Sequence, residues 1–163
     1  MADPQLRTIA AREAETVSPE ETEALGAALG KAVEGGELIG LIGELGTGKT
    51  CFVRGLARGL GIDPERVHSP SFTLVNEYGG GRLDLTHVDL YRLERPLDDE
   101  LFFRDVLYGE GVAAVEWFDR LLPAAGDEAL LIHFRWLGGD RRAIEMSAYG
   151  PRHQRLLARV FGG

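Results

Sequence analysis

The sequence predicts a three-layer α/β domain built around a mixed central sheet. In the first third of the chain, short apolar runs alternate with segments of helical spacing, the pattern of a parallel sheet with crossover helices. Two later strand pairs flank Gly79-Gly80-Gly81 and Gly138-Gly139-Asp140, which adds antiparallel neighbours to that sheet. At 163 residues, 44% hydrophobic and 27% charged, the chain suits one core and excludes a disordered or collagen-like polymer. A single domain over 1–163 is expected. Its 22 glycines, roughly twice the usual share, imply tight turns or close backbone approach.

Residues 6–10 read as a short strand. Ser18-Pro19-Glu20-Glu21 reads as a capping box with proline in the first turn, so a helix is expected from there to about residue 33. Gly35-Gly36 ends it, and 37–42 is an apolar run of buried-strand type. A second helix is expected over 49–60 and stopped by Gly61. Residues 73–78 and 83–90 form the first expected strand pair. Apolar spacing predicts a helix over 97–107, with Asp98, Asp99 and Glu100 favourable at its start. Residues 111–115 read as a buried strand, and 129–137 with 142–148 as the second pair. Pro151 opens a last helix through 160.

The net charge of −8 disfavours a general electrostatic grip on nucleic acid. The stretch 135–163 differs, carrying six arginines against Asp140 and Glu145, a local excess of +4. Cys51 is the only cysteine, which excludes an internal disulfide or a cysteine-built zinc site. No apolar run reaches membrane-span length, and 1–5 lacks the basic-then-apolar layout of a signal peptide. A cytoplasmic location without membrane attachment is expected.

Chemistry enters at Gly43-Glu44-Leu45-Gly46-Thr47-Gly48-Lys49-Thr50, which matches G-x-x-x-x-G-K-T directly after a strand and directly before a helix. Glycines let the backbone turn its amides toward phosphate oxygens, and the following helix adds its positive end. Lys49 supplies a compact cation for the β and γ phosphates, and the Thr50 hydroxyl suits Mg²⁺. Lys31 is the only other lysine.

Nucleotide chemistry also needs carboxylates at strand ends beside such a loop. Asp89 closes the run 85–90 and Glu116 closes 112–116. His87 with Asp89 suggests a metal pair, but no further ligands have matching spacing, and His68, His133 and His153 read as ordinary loop, strand and helix residues. Trp117 either covers the nucleotide or fills core; composition alone favours core. The hydroxyl-rich run His68-Ser69-Pro70-Ser71-Phe72-Thr73 is either a plain turn or a segment that senses the γ-phosphate.

The loop 43–50, Ser69-Pro-Ser-Phe-Thr-Leu-Val75, His87-Val-Asp-Leu-Tyr-Arg-Leu93 and Val115-Glu-Trp117 together resemble the TsaE family, also called YjeE, in order and spacing. The resemblance runs from about Ser18 into the last helix. It implies a small ATPase that works with TsaB, TsaC and TsaD to make threonylcarbamoyladenosine beside the tRNA anticodon. By position it further implies that Glu44, Leu45, Gly46, Thr47, Gly48, Lys49 and Thr50 hold ATP, and that Thr50 and Glu116 hold Mg²⁺. Asp89 becomes the catalytic or metal-organising carboxylate of a second switch, and Ser69 and Ser71 fall in a first switch. Trp117 adjoins the nucleotide, Thr22 lies near the base, and Arg142, with Arg141 as the alternative, reaches the nucleotide. Two positions depart from the family pattern: Cys51 and Ser71 each stand where threonine is usual.

The expected function is therefore a Mg²⁺-dependent ATPase with Lys49, Asp89 and Glu116 as catalytic residues. It would assist TsaB and TsaD, and reach tRNA only through that complex. A small-molecule kinase and a nucleotide-gated binding module are the alternatives, distinguished by ADP release with and without partners.

Overall fold

A computed structural model describes residues 10–44, 46–70, 74–91, 109–118 and 128–162. Strands β1 (Ala10–Thr16), β2 (Leu38–Ile42), β3 (Val75–Tyr78), β4 (Leu85–Asp89), β5 (Val112–Glu116), β6 (Ala129–Gly138) and β7 (Arg141–Tyr149) form one sheet in the order β1-β7-β6-β2-β5-β4-β3. Its centre, β6-β2-β5-β4, is parallel, and the pairs β1/β7, β7/β6 and β3/β4 are antiparallel. The described helices are α1 (Pro19–Ala32), α2 (Lys49–Gly59) and α3 (Pro151–Phe161), with a 3₁₀ turn at Pro64–Arg66. The helix expected over 97–107 lies outside the described residues.

Both faces of the sheet bury apolar side chains, as the middle layer of three must. Ile39, Leu41, Val112, Ala114, Leu130 and Ile132 face α1, α2 and α3, whereas Leu38, Ala113, Val115 and Phe118 form a second cluster. The switch from residue to residue is the period-2 alternation of a strand buried on both sides. Among the described residues, no helix is long and apolar enough to cross a membrane.

Helix α1 starts where the capping residues predict. Ser18 Oγ accepts from Glu21 N at 3.1 Å, while Glu21 Oε1 accepts from Val17 N at 3.2 Å, one residue earlier than the usual reciprocal bond of a capping box. At its other end, Arg82 donates to the Gly30 and Val33 carbonyls at 2.7 and 2.8 Å, supplying donors that the helix itself lacks.

Glycine explains how closely α1 and α2 approach. A Cβ on Gly55 would lie 2.0 Å from the Glu23 carbonyl oxygen, and one on Gly26 would lie 2.2 Å from the Phe52 carbonyl oxygen. The two backbones touch where side chains would normally hold them apart.

The strand expected over 6–10 lies, apart from Ala10, outside the described residues; the structure adds a strand over Ala10–Thr16, which the sequence reading leaves unassigned and which pairs with β7 along its length. Ala-Ala-Arg-Glu-Ala-Glu-Thr has helix-favouring composition. Its register against β7 overrides that preference, and Arg12, Glu13 and Glu15 place charge along this sheet edge.

Candidate functional site

Strand β2 delivers the chain into the glycine-rich loop at the carboxyl edge of the sheet. Gly46 and Gly48 have φ of 77° and 102°, conformations strained for a residue with a Cβ. Thr47 Oγ1 donates to the Glu44 carbonyl at 2.7 Å and braces the loop from within. Helix α2 then begins at Gly48 with no side-chain cap and no acidic residue in its first turn, in contrast to α1 with Ser18, Glu20 and Glu21. Its first amides have no capping side chain, and the helix dipole favours an anion there.

Lys49 belongs to α2 and is only 4% exposed. Its Nζ donates to the Gly43 carbonyl and lies 3.8 Å from the centroid of the Trp117 ring. Oxygen and π-face both stabilise the ammonium in this buried position. Trp117 takes φ of 60°, a costly conformation for an aromatic residue, immediately after Glu116. Tyr91 packs on it with ring centroids 5.1 Å apart.

The strand register gathers the carboxylates. Glu116 aligns with Asp89 on β4 and with Leu41 on β2, so both acids finish their strands beside the loop. Glu116 is 3% exposed, a position that requires partners for a carboxylate. Thr50 Oγ1 lies 3.2 Å from both of its oxygens, and His87 Nε2 lies 2.5 Å from Oε2. Asp89 Oδ2 accepts from Ser69 Oγ at 2.9 Å, and Oδ1 accepts from Tyr91 N at 3.0 Å.

Thr50 and Glu116 fit the expected Mg²⁺ because both present hard oxygen donors within 3.2 Å of each other. Among the described residues, no group of three His, Cys, Asp or Glu could hold a metal alone.

Arg142 and Arg141 separate cleanly. Arg142 donates to the Thr47 and Gly46 carbonyls, both at 3.2 Å, and so reaches over the loop. Arg141 points to Glu15 at 2.6 Å. Thr22 is buried and shares a 2.8 Å hydrogen bond with Thr16; its Cγ2 would lie 3.5 Å from a Cβ on Gly48. Thr22, Gly46, Thr47, Gly48, Lys49, Thr50, Asp89, Glu116, Trp117 and Arg142 thus surround one end of α2, with Glu44 at the loop entrance, while Leu45 and Ser71 lie outside the described residues.

The family model described as threonylcarbamoyl adenosine biosynthesis protein TsaE matches residues 16–144, a span that contains every one of these positions. The chain belongs to the TsaE family. A Bacillus subtilis (strain 168) relative named tRNA threonylcarbamoyladenosine biosynthesis protein TsaE is 40% identical over 141 residues, covering 86% of this chain and 88% of that one. A Treponema pallidum (strain Nichols) relative of the same name is 39% identical over 132 residues, covering 80% and 96%. The crystal structure of Bacillus subtilis YdiB superposes with a TM-score of 0.80 at 33% identity, covering 94% of this chain and 96% of that one.

Within this TsaE chain, the departure at Cys51 is chemically quiet. Its thiol donates to the Pro19 carbonyl at 3.2 Å, and burial, followed by the Glu23 carboxylate, pushes its pKa up, keeping it a thiol. Sequence reasoning missed two site residues. His87 was weighed only as a metal partner of Asp89, and Tyr91 was not singled out. The available signal was the alternation His87-Val88-Asp89, which puts both polar residues on one strand face.

Proposed function

We propose that this chain is a Mg²⁺-dependent ATPase that acts in forming threonylcarbamoyladenosine on tRNA, in the cytoplasm, as an accessory to a TsaB–TsaD complex. The observation that carries this reading is the meeting of Thr50 and Glu116, 3.2 Å apart, at the start of a helix whose first turn has no side-chain cap. Both curated relatives cited above are named for the same tRNA modification, which supports the pathway.

In this reading, the backbone from Glu44 through Gly48, with Leu45 assigned from the motif alone, cradles the phosphates, and Lys49 leaves the Gly43 carbonyl to pair with the β and γ oxygens. Thr50 and Glu116 hold Mg²⁺, which when bound neutralises charge developing on the phosphates. Asp89 organises the side from which water attacks, its carboxylate fixed by Ser69 and by the Tyr91 amide. Ser71 is assigned to the first switch by its motif. Trp117, against Lys49, adjoins the nucleotide, Thr22 lies near the base, and Arg142, over the loop, reaches the nucleotide.

Reconstitution of tRNA modification with cognate TsaB, TsaC and TsaD tests this proposal. Omitting the chain is expected to abolish sustained product formation, and adding it is expected to restore product with release of ADP. Equal product yield with and without the chain would contradict the proposal.

A further inference from the structure

We propose that His87 is a positioning residue for Glu116, holding Oε2 so that the carboxylate stays turned toward the Thr50 hydroxyl, which lies 3.2 Å from both of its oxygens. This rests on the reading of Glu116 as a Mg²⁺ ligand. His87 is 0% exposed, and its Nε2 lies 2.5 Å from Glu116 Oε2. Because a carboxylate only accepts, that nitrogen carries the proton.

The contact follows from register. Asp89 lies opposite Glu116 on neighbouring parallel strands and His87 opposite Ala114, so the imidazole stands on the same face and one pleat below the carboxylate. From there it closes Glu116 from below while Thr50 meets it from the side, equidistant from both oxygens. Without His87, Glu116 would retain Thr50 as its only side-chain hydrogen-bond partner among the described residues.

The other ring nitrogen separates positioning from packing. His87 Nδ1 is buried with no hydrogen-bond partner among the described residues. An imidazole with an unsatisfied nitrogen is a costly filler, since an apolar side chain would avoid that desolvation. What histidine adds at this position is the Nε2–H bond to the carboxylate. Ligand orientation by outer hydrogen bonds commonly alters metal affinity by about tenfold to a hundredfold.

The test compares wild type, His87→Asn and His87→Gln by titrating Mg²⁺ against binding of a fluorescent ATP analogue. Glutamine can place its amide nitrogen near the Nε2 position, whereas the asparagine nitrogen lies near Nδ1. His87→Asn is expected to raise the Mg²⁺ midpoint by about tenfold, with nucleotide affinity in EDTA unchanged, and His87→Gln to recover most of that loss. A wild-type midpoint in His87→Asn, or equal impairment in both variants, would overturn the positioning role. If His87→Asn does not fold, NMR of histidine-labelled wild type still decides. A protected proton on Nε2 of His87 that shifts when Mg²⁺ and ADP are added is expected, and a proton confined to Nδ1 would overturn the role. Nucleotide binding by wild type that ignores Mg²⁺ would instead remove Glu116 from the metal site.

Discussion

A carboxylate that is 3% exposed must have its charge met, and Glu116 meets it with the Thr50 hydroxyl, the His87 imidazole and, in the proposed state, Mg²⁺. Removing a hard oxygen donor weakens the metal site directly. Thr50→Val and Glu116→Gln are therefore each expected to raise the Mg²⁺ needed for ATP binding by at least about tenfold, read by titration calorimetry. Asp89→Asn is expected to leave ATP affinity near wild type and to lower turnover by roughly a hundredfold, read as steady-state ADP release. An unchanged Mg²⁺ requirement in Glu116→Gln would show that Glu116 is not a ligand. Lys49 and Thr50 were legible in the sequence because their motif is local: strand, loop and helix follow one another along the chain. The Glu116–His87 contact was not legible, since it depends on which strands are neighbours and in what register. Likewise, nothing in the composition reveals the φ of 60° that turns Trp117 over Lys49.

Elements place these residues, and the α1–α2 contact carries much of that task because α2 begins at Lys49. Gly55→Ala would drive a Cβ to 2.0 Å from the Glu23 carbonyl oxygen, part of a backbone that cannot swing aside. Overpacking of this kind costs about 1–3 kcal/mol or more. The variant is expected to melt several degrees lower and to bind ATP more weakly as α2 shifts; an unchanged melting temperature would contradict the close approach. Helix α3 introduces a pH dependence. His153 accepts from Leu38 N at 3.1 Å and donates to the Tyr149 carbonyl at 3.2 Å, so the neutral ring ties α3 to the start of β2. Burial is the main cause that pushes its pKa down, which means that the unfolded chain takes up the proton first on acidification. Stability from this group is complete above the ordinary histidine value of about 6.5 and declines as pH falls below it. Thermal melts between pH 7.5 and 5.5, on the order of one unit either side of that value, are expected to show a smaller acid-side drop in His153→Gln than in wild type. An identical slope would remove His153 from the effect. The central elements were legible because buried strands and capped helices leave local patterns. The strand over Ala10–Thr16 was not legible because its residues favour helix and become a strand through their partner β7.

At the scale of the whole molecule, a net charge of −8 faces away from nucleic acid, and the arginine-rich end offsets it less than the sequence suggests. Arg152 donates to the Gly36 carbonyl at 3.1 Å, and Arg159 donates to the Ala32 carbonyl at 2.9 Å while lying within 3.6 Å of Glu37. Arg141 is paired with Glu15, and Arg142 reaches over the loop. The isolated chain is expected to bind tRNA only weakly at near-physiological salt, as read by fluorescence anisotropy. Tight binding that disappears in an Arg152/Arg155/Arg159 triple alanine variant would contradict this expectation. In the proposed function, the loop, Lys49 and the carboxylates form an ATP-hydrolysing centre governed by partner proteins. ADP release measured with and without Mg²⁺ and with and without TsaB–TsaD, for wild type beside a folded Lys49→Ala variant, tests it most directly. The expected result is slow Mg²⁺-dependent release by wild type, faster release with the complex, and almost none from Lys49→Ala. Wild-type turnover in the variant, or no release by wild type under any of these conditions, would contradict it.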